Sequence, residues 1–221
     1  MKKYLFPISI LLLVHFFLFC DTTETPETQN SDELGGDPNI PLNTIGNKFT
    51  TSFNIMGIPD TSIESSIEII KNENGIITLK ANADLTKVQQ LSEINNLIPD
   101  SFKDQTGKIN TEIKFKSTSA GIQDYFNKDE KLHTLVKYDC TVGDQYQLKK
   151  SDGQIITRTV KATNDDFPYG PFLMAKTILI EQDSRIPGVT KIMYRANSTY
   201  GLMYVEVLME DGSFIGSRLF P

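Results

Sequence analysis

From residue 47 onward, apolar and polar residues alternate with a period of two, the signature of strands with one buried face. Ile63, Ser65, Ile67 and Ile69 fall on one face, and Glu64, Ser66 and Glu68 on the other. Asn74-Gly75 then supplies a type I′ turn, whose two central positions both need positive φ. The return run puts Ile77, Leu79, Ala81 and Ala83 on one face and Thr78, Lys80 and Asn82 on the opposite one. An earlier run over 48–56 is placed to pair with this hairpin.

The period then changes. Leu85, Val88, Leu91, Ile94 and Ile98 recur at intervals of three and four, one apolar stripe of a helix. Asp84 suits its N-cap and Pro99 its stop, so the pattern predicts a helix over about 85–97 packed on a sheet. Alternation resumes at Ile109, Thr111, Ile113 and Phe115. Further strands are predicted over 132–142, 144–150, 154–163, 177–182, 189–196, 202–209 and 213–220. Turns are marked by Ser151-Asp152-Gly153 and Asp211-Gly212. Residues 164–171, with Asp165, Asp166, Pro168 and Pro171, read as an irregular crossing.

Short turns between neighbours mean antiparallel pairing. About ten such strands cannot lie flat with open edges. The fold class is therefore mainly β (α+β), a strongly curved antiparallel sheet or partly open barrel with the one helix against it.

The N-terminal residues follow another rule. Lys2 and Lys3 precede an apolar run from Leu5 to Phe19, which stops at Cys20. The run is shorter than the roughly 20 residues of a membrane span and fits a signal-peptide core of about 7–15. Phe17, Leu18 and Phe19 offer no small residues for an ordinary signal cleavage. The arrangement resembles a bacterial lipoprotein signal, in which the cysteine is lipidated and becomes the mature N-terminus. It departs from that pattern at Phe19, where a small residue is usual, and an uncleaved anchor is the alternative. Asp21 to Asn43 is rich in Thr, Glu, Asp, Asn and Pro. It lacks the apolar surface needed to offset ordering entropy. The expected organisation is a signal peptide at 1–19, a disordered acidic tether at 20–43 and one β-rich domain at 44–221, with a subdivision near 130 left open.

Net charge is −6, and loss of Lys2 and Lys3 takes it to −8. Such a body has no electrostatic footprint for nucleic acid. It is repelled by anionic lipid, which favours a covalent anchor over adsorption. Thirteen Phe and eight Tyr supply much of the core.

Two segments carry a second resemblance. Tyr138 to Tyr146 reads YDCTVGDQY and Tyr194 to Leu219 reads YRANSTYGLMYVEVLMEDGSFIGSRL. With Val142-Gly143-Asp144 at a strand start, Tyr200-Gly201-Leu202 where a strand ends at a Gly and a hydrophobic strand follows, and an Asp-Gly turn before the last strand, residues 138–221 resemble a C-terminal β module of exported bacterial proteins of unknown function, including the TapB-like group. The resemblance carries no catalytic residue.

Candidate chemistry is sparse. His133 is the only imidazole outside the leader, where His15 lies. Cys140 is seven residues further on, so an unbroken strand would point the two to opposite faces. With Cys20 acylated, Cys140 has no disulfide partner and reads as a buried small hydrophobe. Asp139, Asp144 and Asp152 lack calcium-loop spacing, no CxxC or HxxxH occurs, and no glycine-rich phosphate loop is present. Asp165-Asp166 reads as a solvated loop pair, and Asn197-Ser198-Thr199 as a turn that matches a glycosylation sequon by accident. Phe167, Tyr169, Phe172, Leu173 and Met174 cluster in the Pro-bearing crossing, either as a flap over the open end of the sheet or as the rim of an apolar-ligand pocket.

These readings predict a membrane-anchored cell-envelope lipoprotein. Its β-rich body would be a non-enzymatic binding or structural module without cofactor or metal. The alternative is a carrier of a lipid or other apolar ligand between curved sheet and helix. The expected partners are the membrane, through lipid on Cys20, and an envelope protein or apolar small molecule. The expected location is the bacterial cell envelope, lipid-anchored to a membrane, at the outer membrane or a periplasmic face.

Overall fold

The computed structural model describes residues 33–220 except 56–57, 62–64, 87–99, 128, 171 and 185–187. The leader, Cys20, the first part of the acidic spacer, Ile63, Glu64 and nearly all of the expected helix lie outside the described residues. Among the described residues there are thirteen strands and no α-helix. The strands are β1 (Lys48–Ile55), β2 (Ile58–Thr61), β3 (Ser65–Glu73), β4 (Ile76–Ala83), β5 (Ile109–Thr118), β6 (Gly121–Asp124), β7 (His133–Lys137), β8 (Gln145–Lys149), β9 (Ile155–Gly170), β10 (Leu173–Asp183), β11 (Val189–Asn197), β12 (Gly201–Met209) and β13 (Phe214–Phe220).

All pairings are antiparallel, in the order β7-β6-β5-β4-β3-β1-β13-β12-β11-β10-β9-β8, with β2 on β1. The sheet curls into a nearly closed barrel, because both of its halves bury side chains into one interior. Ile69, Leu79, Ile113 and Leu135 from one half meet Val160, Ile180, Ile192 and Val207 from the other. The opposite faces carry charge, as at Glu112 and Lys114 on β5.

β1 is the corner. Its first residues, Lys48 and Phe49, pair with Glu68 and Ile67 of β3. From Thr50 onward its ladder is with β13, Thr50 opposite Phe220 and Ile55 opposite Ile215. The first and last strands of the barrel are thus neighbours. At the other extreme, β7 and β8 close the ring without a ladder.

Two expectations are corrected. The sheet has thirteen strands, not about ten, because β2 and β6 are too short to show alternation; β9 and β10 are also longer than expected and run on through the supposed crossing 164–171. The packed helix is not among the described elements. The described helical turns are short 3-10 turns at Pro41–Asn43 and Asp100–Phe102. At the start of the helical pattern, Asp84 accepts from the Thr86 N–H at 3.2 Å and its hydroxyl at 2.6 Å, the bond to the residue two further on that an N-cap makes. Leu85 is fully buried in the core.

Residues 33–43, which composition assigns to the tether, lie on the domain. Leu34 is buried and its N–H donates to Gln123 Oε1 at 3.0 Å. Glu33 pairs with Lys116. Asn43, 1% exposed, donates to Pro38 O and Ser117 O, each at 2.8 Å. The segment is a strap that crosses the end of the barrel holding the β3–β4 and β5–β6 turns. Gly75 packs on Pro38 there, where an added Cβ would lie 2.8 Å from the proline ring.

Candidate functional site

Three places concentrate unusual side chains: the open seam, the outer face of β12, and the end of the barrel under the strap.

At the seam, Arg158 of β9 does what a ladder would do elsewhere. It is 1% exposed. Its Nη1 donates to the carbonyls of His133 and Thr134 on β7, at 3.3 and 3.2 Å. Its Nε donates to Gln182 Oε1 at 2.8 Å, and Nη2 lies 2.8 Å from Asp124 Oδ2 as an ion pair. The guanidinium also sits over the Tyr194 ring, 5.4 Å from its centroid. Unpaired edge carbonyls in a dry interior are costly, so a five-donor cation suits the gap. Asp124 is completely buried; desolvation pushes its carboxyl up from the ordinary value, and the Arg158 charge opposes that. Its Oδ1 accepts from Phe126 N at 3.0 Å.

His133 shares this seam. Its Nε2 donates to Tyr146 O of β8 at 3.2 Å. Burial, with the Arg158 charge adding to it, pushes the imidazole down to about 3. A neutral ring engaged with a main-chain carbonyl is a structural part of the wall. Cys140 lies beyond the end of β7, half-buried, its thiol pushed up by burial. Among the described residues, no three His, Cys, Asp or Glu side chains gather as a metal site would require.

On the outer face, the five residues read as a rim separate into two groups. Phe167 and Tyr169 are buried, with Ala175, Met203 and Tyr204, in a second cluster. This cluster lies on the outside, because Val205 and Val207 of the same β12 point into the barrel. Irregularities in the β9–β10 register at 160–165 turn the distal hairpin outward. Phe167 meets Tyr204 at 5.1 Å and Tyr169 stacks on Phe220 at 5.1 Å, while the Tyr169 hydroxyl donates to Leu219 O. Arg195 and Arg218 flank the Phe167 ring at 5.1 and 5.7 Å, and Asp165 pairs with Arg195. Tyr204 fits only because Gly216 lies under it; a Cβ there would be 1.9 Å from the hydroxyl. Phe172, Leu173 and Met174, by contrast, are exposed at the hairpin tip, Phe172 completely. None of the five lines the interior cavity.

That cavity lies under the strap. It measures about 70 Å³ and is lined by apolar groups that include Leu42, Phe49, Ile67, Phe115, Leu202 and Leu219. Drug-sized ligands occupy pockets of roughly 300–1,000 Å³, so this cavity is too small for one. A larger recess of about 400 Å³ at the opposite end is open and polar, lined by Ser65, Ser66, Asn82, Asp84, Asp104 and Lys108 among others.

Sequence reasoning missed Arg158 and Asp124. The available signal was a lone arginine inside the strand Ile155-Ile156-Thr157-Arg158-Thr159-Val160, whose burial no local pattern reveals. No protein-family model matches the chain, and no curated protein and no solved structure matches it.

Proposed function

We propose that this protein is a cell-envelope lipoprotein, held to a membrane through lipid on Cys20, whose β-barrel body is a non-enzymatic binding or structural module. The observation that carries the reading is the order of segments along the chain. Two lysines, a 15-residue apolar run ending at Phe19 and a cysteine precede an acidic spacer. That order suits export and attachment, and two or more acyl chains on one cysteine suffice for stable anchoring. Among the described residues no helix is long and apolar enough to cross a membrane.

The small size of the cavity under the strap, about 70 Å³, favours a surface-interaction module over a carrier at that place. The only imidazole of the body, His133, is held neutral in a main-chain bond, which supports a non-enzymatic role.

The test is attachment itself. In a bacterial host fed labelled palmitate, the wild-type chain is expected to take up label and to fractionate with membranes. Cys20→Ser is expected to lose the label and to leave the membrane fraction. Unlabelled wild-type protein that retains Met1 would overturn the reading in favour of an uncleaved anchor.

A further inference from the structure

The exposed large apolar residues are not spread evenly over the barrel. Among the described residues they are Ile45, Ile70, Val142, Ile155, Phe172, Leu173 and Met174. Topology places five of the seven at one end. Antiparallel register brings the end of β9 and the start of β10, where Phe172, Leu173 and Met174 sit, to the same end as the β11–β12 turn and the last residues of β13. Val142 is in the β7–β8 connection, which joins that end because Gly121 pairs with Lys137 and Tyr138 N donates to Ala120 O. Ile45 is in the turn that leads from the strap into β1. Ile155, at the start of β9, belongs to the opposite end.

The chain enters the domain at this same end. Glu33 and Leu34 are held by Lys116 and Gln123, beside the β5–β6 turn. Twelve residues separate Cys20 from Glu33, so the thirteen steps between them span at most about 45 Å even when fully extended. At the coil dimensions of such a spacer, about 20 Å, a lipid on Cys20 would favour this end over the polar one as the face toward the bilayer.

We infer that the strap end of the barrel is a membrane-contact surface, with Phe172, Leu173 and Met174 as the point that enters the lipid interface. The inference rests on the lipid-anchor reading. The occupant is a bilayer because the three residues stand exposed at a hairpin tip, and because the upstream chain leads to a membrane from this side. Phe172 is completely exposed at the apex of the longest hairpin, and a large aromatic fully in water at such a point is the side chain an interface would take up. The acidic body makes zwitterionic lipid the suitable surface.

The protein contains no tryptophan, so Phe172→Trp creates a single-indole reporter at a position that packs on nothing. Full-length Phe172→Trp and, as the control at the far end, full-length Ile155→Trp are reconstituted on phosphatidylcholine vesicles with and without brominated acyl chains. The tip indole is expected to shift to the blue and to lose at least about half its emission to bromine, as burial of about 5–10 Å would give. The Ile155→Trp indole should keep a water-like spectrum. Vesicle-bound protein whose tip indole stays water-like would overturn the contact surface while leaving the anchor reading intact. Protein that fails to bind vesicles at all would overturn both. A tip indole shielded from acrylamide yet untouched by bromine would assign the tip to a protein partner and also overturn the inference.

Discussion

Replacing Arg158 by methionine removes the cation paired with Asp124, which is 0% exposed. The methionine fills similar volume, so the loss is chiefly electrostatic. Asp124 keeps the N–H of Phe126 but loses its counter-charge, and the β7 carbonyls of His133 and Thr134 lose the donor at 3.2–3.3 Å. Breaking a buried pair from one side costs about 3–5 kcal/mol, a large part of the roughly 5–15 kcal/mol that a domain has. With a urea m-value of about 2 kcal/mol/M, the midpoint should fall by about 2 M, read by far-UV circular dichroism. The sign of the pH effect follows from the carboxyl. Its folded pKa is already raised by desolvation, and without Arg158 it rises further above its unfolded value. The penalty is then complete above the folded pKa and relieved as pH falls toward the unfolded one. Relative to wild type at the same pH, Arg158→Met should therefore recover on acidification. Asp124→Asn in the same background should recover part of the loss at neutral pH. Additivity of the two single changes to within about 0.5 kcal/mol would refute the coupling.

Two further outcomes test other parts of the wall. His133 is held down to about 3 by burial, against an ordinary value of 6.5; between those limits the unfolded chain binds a proton that the folded one excludes. Stability should thus drop as pH falls from 6.5, by up to about 1.4 kcal/mol per unit, and His133→Gln should flatten that part of a urea-midpoint profile. Gly121→Ala places a Cβ 2.1 Å from the main-chain oxygen of Val136 at a φ of +154°. It should cost about 3 kcal/mol and loosen β6–β7 in hydrogen exchange, whereas Gly153→Ala, in open space in the β8–β9 turn, meets only the backbone strain of its own φ of +81°.

Local chemistry reached the hairpins because their determinants are local. Asn74 and Gly75 both have positive φ, at 52° and 86°, as the type I′ reading requires, and β3 and β4 pair around them. The Asp211-Gly212 turn joins β12 to β13 for the same reason, with Gly212 at φ 82°. Alternation over 109–116 located β5, since a strand with one face inward writes its orientation into a period of two. β6 escaped because its four residues Gly121, Ile122, Gln123 and Asp124 are all buried, two of them polar, which leaves no alternation. The distal part of β9 escaped because Asp165, Asp166 and Pro168 are turn-forming residues. Their strand exists only because bulges bend it outward and Phe167 and Tyr169 find Tyr204 and Phe220 beneath.

The chain's own pattern thus determined a curved antiparallel sheet and its main turns, all written within about ten residues of each position. Tertiary structure alone decided which strands meet. The pairing of β1 with β13 joins residues far apart in the chain, and no periodicity encodes a partner that distant. Arg158 reads as one more polar strand position until the closing ring sets it beside Asp124, Gln182 and the bare carbonyls of β7. The gathering of exposed apolar residues at one end was equally illegible, because Ile45, Val142 and Phe172 become neighbours of one surface only when the register of every intervening strand is summed.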